Sequence, residues 1–360
     1  MKAILFEQID ANPTLEEVAD PVVEAGDVVV DVVVAPVLSY ATEVFSGKRP
    51  MLFELPFVPG TGAIGRVSAL GLGATELQVG SWVYCDPTLR GRDAQGLPAI
   101  SLQGLTASGL SALSLQRQYR NGSWAEKLRL PLENVVPIGD IDERSAARWL
   151  TFGSMLVPYG GLLSIGLQAG ETVVINGATG NFGSAAVAVA LAMGAARVVA
   201  TGRNADSLKT LAERYGSRVR AALVVGDEEA DKAVIQSAAG QPIDVVLDIL
   251  PPAASIAQVL SAVKAVRPGG RVSLMGGVGM TEGSELSLPY PWLMRNNITI
   301  KGQWLYPREA IPRLIALAQN GILDLSRYDV VEFPLTEIQA ALAHASSTVG
   351  PFTKTVLRIV

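Results

Sequence analysis

The segment Thr172-Val-Val-Ile-Asn-Gly-Ala-Thr-Gly-Asn-Phe-Gly-Ser184 decides the fold. An apolar, β-branched run enters a glycine-rich turn, and the small residues of 184–194 continue as a predicted helix. Gly180 and Gly183 stand where a dinucleotide fingerprint has its second and third glycines. Ala178 takes the first place, with Gly177 just before it. Gly180 lets the backbone approach a pyrophosphate, and Gly183 lets the helix pack closely on the strand. Thr179, Asn181 and Phe182 complete the turn, where a helix start offers free N–H groups and partial positive charge to phosphates. An ordinary strand–turn–helix would need these glycines only to turn.

The chain around this segment argues for more. Further strands are predicted over 196–201, 221–225, 243–250 and 271–276, with a sixth candidate over 298–302. Helical segments such as 207–215 and 256–266 lie between most of them. Repeated β–α units predict an α/β fold, a doubly wound parallel sheet of the Rossmann type. The Pro268-Gly269-Gly270 turn stops one helix and launches the fifth strand. Before about residue 147 the chain reads differently, as short Val-rich runs such as 27–34 between Gly and Pro turns. That style suits a small antiparallel barrel-like domain, although alternation is poor. From about 303 mixed structure resumes, with a helix predicted over 335–345 and a last strand over 353–360.

The second strand of the parallel set ends in Gly202-Arg203-Asn204. Here an NAD-binding protein usually places an acid for the ribose 2′-hydroxyl, and none stands at this strand end. Arg203 can instead hold a 2′-phosphate through two parallel hydrogen bonds, with Lys209 adding charge. The expected cofactor is therefore NADPH. The plainer alternative makes Arg203 a solvated side chain and Asn204 a helix cap.

The bulk numbers set limits. At 360 residues the chain can build two domains, each with its own core. A net charge of −5 leaves no electrostatic footprint for nucleic acid. The N-terminus turns polar too soon for a signal peptide, and the most apolar stretch, 184–196, is too short to span a bilayer. A soluble, cytoplasmic protein with no membrane partner is expected. One cysteine, Cys85, and one histidine, His344, are far from the three or four ligands that a zinc site draws mainly from these residue types.

Several segments together resemble the medium-chain dehydrogenase/reductase superfamily, particularly its zinc-independent quinone-oxidoreductase-like members. They are Pro59-Gly-Thr-Gly-Ala-Ile-Gly-Arg-Val67, Gly122-Ser-Trp-Ala-Glu-Lys-Leu-Arg-Leu-Pro131 and Gly170-Glu-Thr-Val-Val-Ile-Asn-Gly-Ala-Thr-Gly-Asn-Phe-Gly183. Pro268-Gly-Gly-Arg-Val-Ser-Leu-Met-Gly-Gly277 and Lys354-Thr-Val-Leu357 extend the likeness over nearly the whole chain. The resemblance implies a GroES-like catalytic domain from 1–147 and 302–360, interrupted by a Rossmann domain over 148–301. It implies a nicotinamide flanked by Leu250, Gly276, Gly277 and Val278, and a pyrophosphate approached by Lys354. A homodimer is implied as well, with the sixth strand as a possible pairing edge.

Departures from the family pattern point to the chemistry. Zinc-dependent relatives carry a Cys where this chain, in register to Ser46-Gly47, has Leu38, and Gly-His-Glu where it has Gly60-Thr61-Gly62. Residues 151–154 hold no Cys or Asp, and the four-cysteine lobe is missing, so no zinc is expected. Tyr40 falls where those relatives place a relay hydroxyl and is the candidate proton donor; Ser39, Thr42, Glu43 and Trp304 are candidate pocket residues. The leading reading is NADPH-dependent hydride transfer to a small-molecule quinone or conjugated enone. Carbonyl reduction or alcohol oxidation without metal is the alternative, and a non-catalytic NADPH-binding role is a third.

Overall fold

The computed structural model describes residues 1–280, 283–348 and 350–359. They form two compact units. The first comprises Met1–Gly153, Tyr328–Val349 and Thr353–Val360, and the second Ser154–Arg327 with Gly350–Phe352. The segment 302–327, assigned from the resemblance to the first domain, therefore belongs with the second, and 148–153, assigned to the second, belongs with the first. Its helix Ala310–Gln319 buries Ala310, Ile311, Leu314 and Ile315, an apolar stripe that fits any core and carries no mark of which one it joins.

The first unit is built on a seven-stranded sheet. Its longest strand, Asp27–Val37, pairs antiparallel with Ala63–Leu70, Lys127–Pro131 and Thr353–Arg358. Nine of that strand's eleven residues are buried, so both faces are covered and the polar half of an alternating pattern is absent. Its bulges between Val29 and Val30 and between Val32 and Val34 disturb the period further. Phe6, Phe57, Val83, Trp124 and Leu130 pack into the core beside it. The last strand ends at Arg358; Val360, its predicted end, lies outside the described residues.

The second unit holds six parallel strands: β1 (Thr172–Asn176), β2 (Arg197–Gly202), β3 (Val219–Leu223), β4 (Val245–Asp248), β5 (Arg271–Leu274) and β6 (Thr299–Gly302). Their order is β3-β2-β1-β4-β5-β6, the doubly wound arrangement predicted. Four helices follow the first four strands: α1 (Asn181–Ala192), α2 (Ala205–Tyr215), α3 (Glu228–Ala239) and α4 (Ile256–Val263). β1 is buried at every position, as a central parallel strand requires. The order reverses beside β1, and there the strand ends open the crevice where such sheets take ligands. No helix among the described residues is long and apolar enough to cross a membrane.

Candidate cofactor and active site

The turn after β1 is shaped by steric exclusion. Gly177 has φ +92°, a left-handed conformation that favours glycine. A Cβ on Gly183 would lie 2.0 Å from the Gly177 carbonyl oxygen and 2.7 Å from Ala178 Cα, so only glycine lets α1 approach β1 this closely. Gly180 differs: a Cβ there would meet nothing nearer than 3.8 Å. The open space above Gly180 is what a phosphate needs, and fold packing does not demand a glycine there.

α1 starts at Asn181, earlier than the residue 184 predicted, because Gly180 itself serves as N-cap with extended backbone. Its first turn has no side-chain cap. The other three helices are capped, α2 by Asn204, α3 by Asp227 and α4 by Ser255 within a capping box. Of these four, the helix behind the glycine turn alone keeps its first N–H groups free of a side-chain cap. Beside them the Asn181 side-chain oxygen is buried without a hydrogen-bond partner among the described residues, and a ligand hydroxyl could donate to it. These features fit a dinucleotide.

Next to this cradle, β2 ends at Gly202, where a Cβ would lie 2.4 Å from Thr179 Cγ2. The glycine turn and the end of β2 are thus in contact. Arg203 follows, exposed and without a hydrogen bond or ion pair among the described residues. Asn204 spends its side-chain oxygen on the Ser207 N–H at 2.9 Å, so its first role is that of a cap. Lys209 is exposed and lies 3.9 Å from Glu213 one turn on.

The ends of β4 and β5 close on the same place. The Gly277 N–H donates to the Leu250 carbonyl at 2.8 Å, and a Cβ on Gly276 would sit 2.7 Å from Asp248 Oδ2. Gly177 itself faces Leu250, whose Cδ2 lies 3.3 Å from the position a Cβ would take. Val278 packs against this unit's core. Gly177, Leu250, Gly276 and Gly277 are therefore brought together. Asp248 sits beneath them, and burial pushes its acid up to about 7 against the pull of the Asn176 and Leu250 hydrogen bonds.

In the first unit, Leu38 and Thr61 line an apolar cavity of about 20 Å³ with Val44, Phe45, Phe57 and Trp124. Ser39, Tyr40, Thr42 and Glu43 do not line it. Tyr40 lies under the Arg49 guanidinium, which is 3.9 Å from its ring centroid, while Glu43 pairs with Arg49 at 3.9 Å. Burial raises the Tyr40 phenol and the Arg49 charge lowers it, with burial dominant, so the hydroxyl keeps its proton. Arg49 was not singled out in the sequence, where nothing marks a loop arginine as a stacking partner. Trp304 lies in the second unit and is half-exposed. Lys354 is buried on the first unit's last strand, 5.5 Å from the Tyr328 ring centroid, and burial lowers its ammonium to about 7.

Two family models match the chain: an alcohol dehydrogenase GroES-like domain over residues 24–140 and a zinc-binding dehydrogenase over residues 182–320. L-threonine 3-dehydrogenase of Ruegeria pomeroyi is 32% identical over 81% of this chain and 80% of its own length. The chain belongs to the medium-chain dehydrogenase/reductase superfamily. It is also similar to an alcohol dehydrogenase of Geobacillus stearothermophilus, 28% identical over 89% of this chain and 90% of that one. Acryloyl-coenzyme A reductase of Metallosphaera sedula is 26% identical over 81% of each. Among solved structures, alcohol dehydrogenase TADH from Thermus sp. ATN1 shares the fold at TM-score 0.81 and 24% identity, with both chains fully covered. Medium-chain dehydrogenases use nicotinamide cofactors, and the cradle of the second unit has the form such a cofactor takes.

One matching model is named for zinc, and the residues present do not fit that ion. Leu38 and Thr61 offer no ligand of the family's kind and border an apolar cavity. The Cys85 thiol is fully buried, and desolvation, with Asp86 adding to it, pushes it far from the thiolate a metal binds. His344 is engaged with Thr355 Oγ1 at 2.8 Å through Nδ1. Among the described residues no group of three or more His, Cys, Asp or Glu could hold a metal ion.

Proposed function

We propose that this medium-chain oxidoreductase works without zinc, binds NADPH, and transfers hydride to a conjugated C=C bond or a quinone. The observation that carries this reading is the apolar lining at Leu38 and Thr61, which leaves nothing to polarise an alcohol oxygen as a metal would. The acryloyl-coenzyme A reductase among its relatives supports the choice of an activated double bond.

A reduced nicotinamide, when bound, supplies the hydride. The chain's residues orient and balance the charge. The uncapped α1 amides would hold the diphosphate, and the Arg203 guanidinium, without a partner among the described residues, would answer a 2′-phosphate. Tyr40, held protonated by burial, can deliver the proton that completes reduction, and Arg49 over its ring steadies the phenolate left behind until solvent reprotonates it.

Tyr40→Phe should lower kcat about 100-fold while leaving the NADPH dissociation constant unchanged. Steady-state kinetics beside fluorescence binding checks this, and an unchanged kcat removes Tyr40 as donor. For the reaction itself, NADPH carrying deuterium at the transferable position should label the β-carbon of an enone. Label on a carbinol carbon would mean carbonyl reduction instead. Stoichiometric zinc in the purified, active protein, with activity lost on chelation, would overturn the metal-free reading.

A further inference from the structure

A buried polar chain runs beneath the glycine cradle. The Gly177 N–H donates to Thr201 Oγ1 at 3.1 Å, and the Thr201 hydroxyl donates to Asn176 Oδ1 at 2.8 Å. Asn176 Nδ2 in turn donates to Asp248 Oδ1 at 2.8 Å and to the Gln258 carbonyl at 2.9 Å. The Leu250 N–H also donates to the Asp248 carboxyl. Asn176, Thr201 and Asp248 are each 3% exposed or less. One carboxyl at the end of β4 thus ties the first amide of the phosphate turn to the turn that carries Leu250 and meets Gly276.

Among the described residues no cation pairs with that carboxyl. The residues that meet it or its hydrogen-bond chain are Asn176 from β1, Thr201 from β2, Gln258 from α4, Leu250 from the following turn and Gly276 beyond β5. All are uncharged. A carboxylate buried among neutral groups is costly, and further negative charge placed over Gly177 raises that cost.

We infer that Asp248 is a positioning residue for the dinucleotide which holds its proton while the cradle is occupied, so that cofactor binding takes up a proton. The inference rests on the reading of Gly177–Gly183 as a diphosphate site. The linkage is reciprocal: if the bound anion favours the protonated acid, protonation favours the bound anion. Burial already pushes this acid up to about 7, so affinity should fall as pH rises through and above neutrality. A rise of one unit on loading corresponds to about a tenfold loss. In the free protein the sign is the same. A folded value above the ordinary carboxylate range contributes stability that is fully present at acid pH and lost as pH rises through about 7.

The test is calorimetric titration of the intact protein with NADPH from pH 6 to 9 in two buffers of different ionisation enthalpy. Wild type and Asp248→Asn are compared, so the 2′-phosphate's own titration cancels. Wild type should take up more protons near pH 7.5 and lose about tenfold more affinity across the range than the variant. Equal proton uptake and equal pH dependence in the two proteins would overturn the inference. If the variant does not fold, carbon-13 NMR of aspartate carboxyls in the wild type decides. One signal titrating near neutrality and moving up on NADPH loading supports the inference, and a signal that does not move overturns it. Failure of both NADPH and NADH to bind at any pH would instead overturn the cradle reading beneath it.

Discussion

Gly183→Ala is expected to cost the protein both its cofactor and several degrees of thermal stability, whereas Gly180→Ala costs only the cofactor. The added methyl at residue 183 would lie 2.0 Å from a backbone oxygen, and no rotamer change can move that oxygen away. α1 must shift off β1, at about 1–3 kcal/mol or more for an overpacked core contact, and its N-terminal amides leave the phosphate turn. NADPH affinity should fall at least about 100-fold, the loss of about two charge-assisted hydrogen bonds. At residue 180 the methyl meets nothing nearer than 3.8 Å and the backbone is already in an ordinary extended conformation. The fold should accept it, while the methyl occupies space a phosphate needs. Melting curves and NADPH fluorescence titrations on the pair separate the two glycines. A Gly180→Ala protein with wild-type affinity would mean that the diphosphate does not lie over this turn.

The second large effect is on cofactor choice. Arg203→Ala should weaken NADPH about 10- to 100-fold, the range for losing a charge-assisted interaction with phosphate, and change NADH by less than about threefold. Arg203 is exposed, has no partner among the described residues, and follows Gly202, which lies against Thr179 of the cradle. A side chain with no partner in the free protein loses nothing there when truncated, so the whole effect is read in the complex. Equal weakening of both cofactors would remove the 2′-phosphate assignment.

Much of the second unit was legible because its signals are local. β1 is four buried β-branched residues and Asn176 running into a glycine turn, the strand that the opening segment announces. The caps at Asn204, Asp227 and Ser255 are residue types that announce helix starts. What could not be read depends on pairing across distance. Asp248 looks like the polar end of an apolar strand until Asn176, 72 residues away, is found donating to it. Arg49 looks like a surface loop cation until its guanidinium is seen over Tyr40. In the first unit the strand Asp27–Val37 hid its period because both faces are covered.

One feature of the first unit bears on how the chain reaches its native state. The strand Thr353–Arg358 hydrogen-bonds to Asp27–Val37, so the sheet is closed by residues made more than 300 positions later. During synthesis the contiguous segment Ser154–Arg327 emerges whole, while Asp27–Val37 waits with an unpaired edge for its last neighbour. The first half of the protein to be made is thus the last to be finished, and that waiting edge is where misassociation on the ribosome would begin.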